Sequence, residues 1–232
     1  MEKLDLTPLL SISSLSVRFT RPTPQLALSD IDFTVPKNSI IGIVGESGSG
    51  KSLTAMAIMG LLNATNVTIE GKIVFNGTVI FPNQPEVVRK HRGRHIAMIF
   101  QDPMTALNPA KRCGAQVDEM LVFQLGISKE KAKAKTLELF EQVKLPDPNS
   151  IYHRYPHQLS GGQMQRVMIA MAISCAPKLL IADEPTTALD VTVQKDIIEL
   201  LMEIQAKTGM SMIFISHDLA LVSEIAHEIL VM

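Results

Sequence analysis

The 232-residue sequence is poor in three features, and each shortage narrows its possible functions. Only two cysteines are present, Cys113 and Cys175, which disfavours a disulfide framework and favours a reduced, cytosolic setting. There is no basic excess, since 22 Lys and Arg against 23 Asp and Glu give a net charge of −1. We therefore expect no nucleic-acid partner. The longest near-continuous apolar run, 167–176, is far shorter than the ~20 residues that a membrane-spanning helix needs.

The sequence also has no tandem repeat and no low-complexity segment. Its first ten residues contain no long apolar stretch, so we expect no secretory signal there. A hydrophobic fraction of 46% and a charged fraction of 19% are typical of a globular protein that buries a core.

The order of apolar patterns predicts an α/β fold. β-rich runs come first, 108–159 is helical, and helices then alternate with strands. Strands are predicted at 12–19, 31–35, 40–44, 67–75, 95–100, 179–183, 212–216 and 229–232, and helices at 53–62, 129–144, 163–174 and 197–204. Such alternation implies a parallel sheet covered on both faces, with the helical block as an insertion. Because the sequence stops inside a predicted strand, we expect more sequence to follow Met232.

A glycine-rich segment lies between the predicted strand 40–44 and the following helix. Residues 45–52 read GESGSGKS and match G-x-x-x-x-G-K-[ST] at every fixed position. Glycines let the backbone turn its N–H groups toward phosphate oxygens, and the helix adds its positive end. Lys51 is expected to reach the β- and γ-phosphates, and Ser52 to ligate Mg²⁺. The segment predicts nucleoside triphosphate binding by Gly45, Glu46, Ser47, Gly48, Ser49, Gly50, Lys51, Ser52 and Leu53.

Two acidic residues end the apolar run 179–183. Ligands bind at the carboxyl ends of strands in a parallel sheet, where Asp183 and Glu184 are expected to lie. We expect Asp183 to hold Mg²⁺, directly or through water, and Glu184 to polarise the attacking water. An apolar strand ending in Asp-Glu is common by itself, so this interpretation depends on the phosphate-binding segment.

Residues 159–166 read LSGGQMQR, which resembles the LSGGQ signature of ABC-transporter ATPase subunits. The resemblance implies that two such subunits dock head to tail. Ser160, Gly161, Gly162 and Gln163 would then bind the ATP of the opposite subunit. Taken alone, the same residues also fit an ordinary capped helix.

The resemblance extends to four further positions. Gln101 corresponds to the Q-loop glutamine, which contacts the metal and the water and senses the membrane partner. Residues 188–190, with Asp190, correspond to the D-loop at the dimer interface, and His217 to the histidine that holds the γ-phosphate. Phe19 corresponds to the aromatic residue that stacks on adenine, although it also fits a core position in a strand.

The resemblance covers roughly 12–232 and implies a fold. We expect a P-loop NTPase (RecA-like) core with a mainly parallel sheet, an N-terminal antiparallel β subdomain and an inserted helical subdomain. The chain is expected to be a single ABC ATPase domain over 1–232. Its core and β subdomain would occupy about 1–100 and 165–232, and its helical subdomain, with the signature, about 101–164.

The segments 100–109, 155–166 and 182–190 narrow the resemblance to the oligopeptide, dipeptide and nickel importer ATPases. This implies ATP and Mg²⁺ as cofactors, and uptake of peptides, nickel or a similar solute. The implied partners are an identical or related ATPase subunit, transmembrane permease subunits and, indirectly, a solute-binding protein. The implied location is the cytoplasmic face of a bacterial inner membrane. Members of that group normally carry a C-terminal extension, which this sequence lacks.

Coupling to the permease is expected through 101–109 and the helical block after it. The apolar residues there equally fit packing of that block; they are Met104, Leu107, Met120, Leu121, Val122 and Phe123. Two other functions remain possible. A soluble ABC ATPase of DNA repair or ribosomes usually carries two cassettes, coiled-coil insertions or zinc insertions, and this sequence has neither a heptad run nor a cysteine cluster. A regulatory module that does not hydrolyse ATP is disfavoured by Glu184 and His217.

Overall fold

A computed structural model describes residues 7–20, 23–62, 65–80, 85–187 and 189–232. These residues divide into a first unit, Met1–Arg92 with Gly209–Met232, and a second unit, Gly93–Thr208. Of the segment 188–190, Ala188 lies outside the described residues.

The first unit contains an antiparallel sheet and a set of parallel strands. Its elements are β1 Leu10–Phe19, β2 Gln25–Val35, β3 Ile40–Val44, α1 Lys51–Ile58, β4 Val67–Phe75, β5 Thr78–Ile80, α2 Pro85–His91, β8 Ser211–Ser216, α9 Leu219–Ile225 and β9 Glu228–Val231. The antiparallel sheet has the order β2-β1-β4-β5. Strand β3 pairs in parallel with both β8 and β9. All five residues of β3 are buried, as expected for a continuous apolar run in a parallel sheet.

The second unit combines one pair of parallel strands with helices. Its elements are β6 Ile96–Ile99, α3 Pro103–Ala106, α4 Cys113–Leu125, α5 Lys129–Gln142, α6 Pro148–His153, a 3₁₀ helix Pro156–Gln158, α7 Gly161–Ile173, β7 Leu179–Asp183 and α8 Val191–Thr208. Strands β6 and β7 run parallel, with Ile96 opposite Leu179.

A part-buried polar contact connects three helices of the second unit. Asp118 on α4 accepts hydrogen bonds of 2.5 Å from the hydroxyls of Thr136 on α5 and Tyr152 on α6. Burial and the Asp118 carboxylate, which accepts the Tyr152 hydrogen bond, raise the pKa of Tyr152 to about 12. Both oxygens of Asp118 are thus occupied, which fixes α5 and α6 against α4.

The structure confirms the predicted fold class: mainly parallel strands, an antiparallel sheet near the N-terminus and a long helical segment. Helix α1 differs from its predicted bounds of 53–62. It begins earlier because Gly50, with a φ of +102°, forms its N-cap, and it ends at Ile58. Strand β2 extends back to Gln25, beyond the predicted 31–35. The subdomain limits near 101 and 164 stay a prediction.

The apolar residues between 101 and 125 differ in burial, and Met120 and Val122 are half-buried. Leu107 and Leu121 are buried in the core, so packing of the helical block accounts for these two residues. Met104 is 64% exposed and Phe123 is 75% exposed, so neither contributes to the core. Among the described residues, no helix combines the length and apolar character needed to span a bilayer.

Candidate functional site

The buried side chain of Lys51, the first residue of α1, contacts the backbone of the loop between β3 and α1. Lys51 is only 5% exposed, and its Nζ donates hydrogen bonds of 2.8 Å to the carbonyl oxygens of Gly45 and Glu46. Within the loop, the Ser49 N–H donates to the Glu46 carbonyl at 3.2 Å. The Lys51 ammonium group therefore lies next to the loop, where it can form a charge-assisted hydrogen bond with a bound anion.

The same loop has the conformation and the donors of a phosphate site. A Cβ on Gly50 would lie 2.3 Å from Leu28 Cδ2, and the φ of +102° there favours glycine independently. Among the described residues, no side chain caps the N-terminus of α1. In the described part of the chain, the Ser49 hydroxyl oxygen is buried without a hydrogen-bond partner. An uncapped helix start and an unsatisfied buried hydroxyl fit a bound phosphate group.

The first unit also contains three other predicted residues. Ser52 is half-buried in the first turn of α1. Phe19 is half-buried at the end of β1, opposite Gln25 and Val67. His217 is exposed directly after β8, and the next residue, Asp218, caps α9 by accepting the Leu221 N–H at 3.1 Å. His217 therefore stands at the carboxyl end of a parallel strand, as predicted.

In the second unit, the two predicted acids stand at the carboxyl end of β7. Asp183 is 4% exposed, and Glu184 follows it with a φ of +44°, in the left-handed region that non-glycine residues rarely adopt. Gln101 follows β6, the parallel neighbour of β7. Its Nε2 donates a hydrogen bond of 3.1 Å to Glu184 Oε2. The fold thus brings together two predicted residues that are 83 positions apart.

Two further hydrogen-bonding residues of the second unit were not predicted. The Thr187 hydroxyl donates to Glu184 Oε2 at 2.8 Å; the tendency of threonine to form local hydrogen bonds in turns was the only signal. Gln116, on α4, accepts a hydrogen bond from the Asn108 N–H and donates to the Asn108 and Lys111 carbonyls. It holds the segment that follows Gln101, and no short motif indicates this role.

The signature residues form the start of α7. Ser160 Oγ accepts the Gln163 N–H at 3.3 Å, and Gln163 Oε1 accepts the Ser160 N–H at 3.1 Å, which is a capping box. A Cβ on Gly162 would lie 2.8 Å from Val193 Cγ1 of α8, and one on Gly161 would lie 3.3 Å from Leu189. These residues therefore cap α7, and their role toward a second ATP stays a prediction.

Asp190 also has a local structural role. Its Oδ1 accepts the Val193 N–H at 3.0 Å and its carbonyl accepts the Gln194 N–H at 2.8 Å, so it caps α8.

Elsewhere in this unit, a groove of about 660 Å³ is bordered by α4, α5 and α6. Its lining includes the exposed ring of Phe123, together with Val122, Lys133 and Tyr152.

Comparison with known families decides how these motifs are interpreted. A family model described as ABC transporter matches residues 28–187. This chain belongs to the ABC transporter family. The family membership predicted from the LSGGQ-like segment is thereby confirmed.

The relatives of this ABC chain include transport ATP-binding proteins. It is 50% identical over 225 residues to the dipeptide transport ATP-binding protein DppD of Escherichia coli (strain K12). That match covers 97% of this chain and 69% of DppD. It is 48% identical to the oligopeptide transport ATP-binding protein OppD of Salmonella typhimurium, with 97% of this chain and 67% of OppD covered.

Solved structures of other ABC cassettes share the fold. A dimeric post-hydrolysis structure of the ATP-binding cassette MJ0796, bound to ADP and Pi, has a TM-score of 0.84 and 26% identity. It covers 96% of this chain and 94% of that one. CbiO1 of Clostridium perfringens, part of the ABC transporter complex cbiONQ, has a TM-score of 0.79 and 26% identity, with coverage of 97% and 84%. The ABC ATPase class is therefore confirmed for this chain.

Proposed function

We propose that this chain is the ATP-hydrolysing subunit of a bacterial peptide importer. The main support for ATP hydrolysis is the position of the Glu184 carboxylate, which follows a buried parallel strand and accepts a hydrogen bond from Gln101. The dipeptide and oligopeptide names of relatives about 50% identical to this chain support peptides as the transported solute. The names of these relatives do not favour a soluble ABC ATPase of DNA repair or ribosomes.

In this proposal, the first unit binds the nucleotide. Phe19 stacks on adenine, and the backbone N–H groups of 45–53 surround the phosphates. Lys51, held at the loop carbonyls, places its charge beside the β- and γ-phosphates. His217 donates a hydrogen bond to the γ-phosphate.

Mg²⁺ would be held by Ser52, Asp183 and Gln101. A hydroxyl, a carboxylate and an amide oxygen are hard donors, which suits this ion. Gln101 can contact both Mg²⁺ and Glu184, because its amide nitrogen donates to the Glu184 carboxylate while its amide oxygen is available to the metal. When bound, the ion supplies charge neutralisation on the phosphate oxygens.

Glu184 acts as the general base for hydrolysis. A water oxygen attacks the γ-phosphorus while a water proton passes to the Glu184 carboxylate. The bond between the γ-phosphorus and the bridging oxygen breaks, and its electron pair leaves with ADP. The products are ADP and inorganic phosphate, so every atom of ATP and water is accounted for.

A second ATPase subunit, identical or related, completes each nucleotide site. Ser160, Gly161, Gly162 and Gln163 at the start of α7 would bind the ATP held by the partner subunit, and Asp190 would lie at their interface. Ser160 and Gly161 are exposed at the start of α7, and the positive end of a helix attracts anions, which supports this arrangement. ATP then closes the pair, and hydrolysis with phosphate release reopens it.

The transmembrane permease subunits would receive this movement, and they would place the chain on the cytoplasmic face of the bacterial inner membrane. Met104 and Phe123 support this proposal, because both apolar side chains are exposed, Met104 within the segment 101–109 and Phe123 in the helical block that follows it. A solute-binding protein would deliver the peptide to the permease and would not touch this chain.

Light scattering on the Glu184→Gln chain tests the proposal. We expect the mass to double with Mg-ATP and to stay monomeric with Mg-ADP. A monomer that binds Mg-ATP would show that a related subunit is needed, and the experiment would be repeated with that subunit. A chain that binds no Mg-ATP would contradict the proposed function.

A further inference from the structure

The carboxylate of Glu184 receives two hydrogen bonds on the same oxygen. Gln101 Nε2 donates to Oε2 from 3.1 Å and Thr187 Oγ1 donates to it from 2.8 Å. Thr187 is connected a second time, because its N–H donates to the Glu184 carbonyl at 3.3 Å. Thr187 therefore contacts both the main chain and the side chain of Glu184.

We propose that Thr187 is a positioning residue, which holds the Glu184 carboxylate in the orientation that accepts the proton of the attacking water. This inference rests on the proposed function, in which Glu184 is the general base. The proton and electron balance of hydrolysis is unchanged, since Thr187 only donates a hydrogen bond.

The backbone conformation of Glu184 explains why its side chain needs a hydrogen bond from Thr187 to stay in place. With a φ of +44°, Glu184 no longer belongs to β7, so the strand cannot direct its side chain. Its side chain has three rotatable bonds, and a base that is misplaced by 1 Å loses rate steeply. A hydrogen bond from within the same turn restricts this freedom.

Thr187 and Gln101 differ in how permanent their contacts with Glu184 can be. Gln101 is 83 residues away, and its amide is also assigned to the metal and to permease coupling. Thr187 is three residues away in one turn, so its hydroxyl stays near Glu184 when Gln101 moves. Thr187 is also exposed, so its hydroxyl is not needed for core packing.

The test compares Thr187→Val, which removes the hydroxyl, with Thr187→Ser, which keeps it. Thr208→Val is the matched control, because it removes another exposed threonine hydroxyl of the second unit, bonded to the Ile204 carbonyl at 2.8 Å. We expect Thr187→Val to lower kcat by about 10- to 100-fold with KM within about twofold of the original. Thr187→Ser should restore most of kcat, and Thr208→Val should leave it unchanged.

Two measurements without turnover complete the test. The Kd for Mg-ATP, from a fluorescent nucleotide, should be the same for all three variants. A crystal structure of nucleotide-free Thr187→Val should show the Glu184 side chain rotated or spread over several conformers. Full kcat in Thr187→Val, or equally low kcat in Thr187→Ser, would overturn the inference. Glu184→Gln separates the two proposals. If Glu184→Gln still hydrolyses ATP, the assignment of Glu184 as general base is contradicted. If Glu184→Gln is inactive while Thr187→Val is fully active, only the positioning role of Thr187 is contradicted.

Discussion

Gln101 Nε2 lies 3.1 Å from Glu184 Oε2, so a residue that follows β6 directly contacts the acid that follows β7. The contact exists because β6 and β7 are parallel neighbours, and their carboxyl ends meet. A glutamine that is assigned to sense the permease therefore touches the proposed general base. Under the proposed function, this single hydrogen bond would connect the residue that senses the permease to the residue that activates water.

Removing that glutamine should slow hydrolysis. Gln101→Ala loses both the bond to Glu184 and the proposed metal oxygen, so we expect kcat to fall by about tenfold or more. Gln142→Ala, at the exposed end of α5, is the control and should keep full activity. Steady-state ATPase assays over a range of Mg²⁺ concentrations measure both variants. Equal kcat in the two would contradict a role for Gln101.

Lys51 should be essential for nucleotide binding. Lys51→Ala removes a buried ammonium group from the phosphate-binding loop, so we expect the Kd for Mg-ATP to rise by about 100-fold. Lys72→Ala, on the exposed face of β4, removes an equal charge from the same unit and should bind normally. Equilibrium titration with a fluorescent ATP analogue decides the matter, and unchanged affinity in Lys51→Ala would refute the assignment.

Ser160 should carry a function beyond its capping role. Ser128 provides a matched control, because it caps α5 as Ser160 caps α7, through its hydroxyl and a backbone N–H. Each Ser→Ala variant should lose about 1 kcal/mol of unfolding free energy. Only Ser160→Ala should also lose the ATP-dependent increase in mass, when built on the Glu184→Gln chain. Equal dimer formation by both would reduce Ser160 to a helix cap.

The buried Cys113 thiol should make the protein less stable in alkali. Burial raises its pKa to about 11, from about 9 in the unfolded chain. Between these values the unfolded chain has lost a proton that the folded chain retains, so the unfolding free energy falls as pH rises from 9 to 11. Tyr152, with a pKa near 12, extends the same trend upward from pH 10.

Urea denaturation at a series of pH values measures this loss of stability, and Cys113→Ala should make the slope between pH 9 and 11 shallower. At pH 8 the native thiol should also resist alkylation, because it stays protonated and is buried. Rapid labelling of native Cys113 would contradict the burial that produces the shift.

The sequence was sufficient to predict the residues whose chemistry follows from local spacing. The phosphate-binding loop is such a case, because strand, glycines, lysine and helix are contiguous. The Gln101 contact could not be predicted from spacing, because it depends on which strand lies beside β7. Thr187 was missed because its bond depends on the left-handed conformation of Glu184, which a glutamate does not signal.

Phe19, His217 and the signature residues are a different case. Their roles depend on a nucleotide and on a second subunit, so these assignments stay predictions. The capping box at Ser160 shows how one short motif can be both a local cap and a candidate binding site. Sequence alone cannot separate these two roles.

The most direct test of the account is the turnover of Glu184→Gln beside its Mg-ATP affinity. The substitution keeps the shape of the side chain and removes its ability to take a proton, so we predict an unchanged Kd and a kcat at least about 100-fold lower. Turnover equal to that of the original chain would contradict the central claim that Glu184 is the general base.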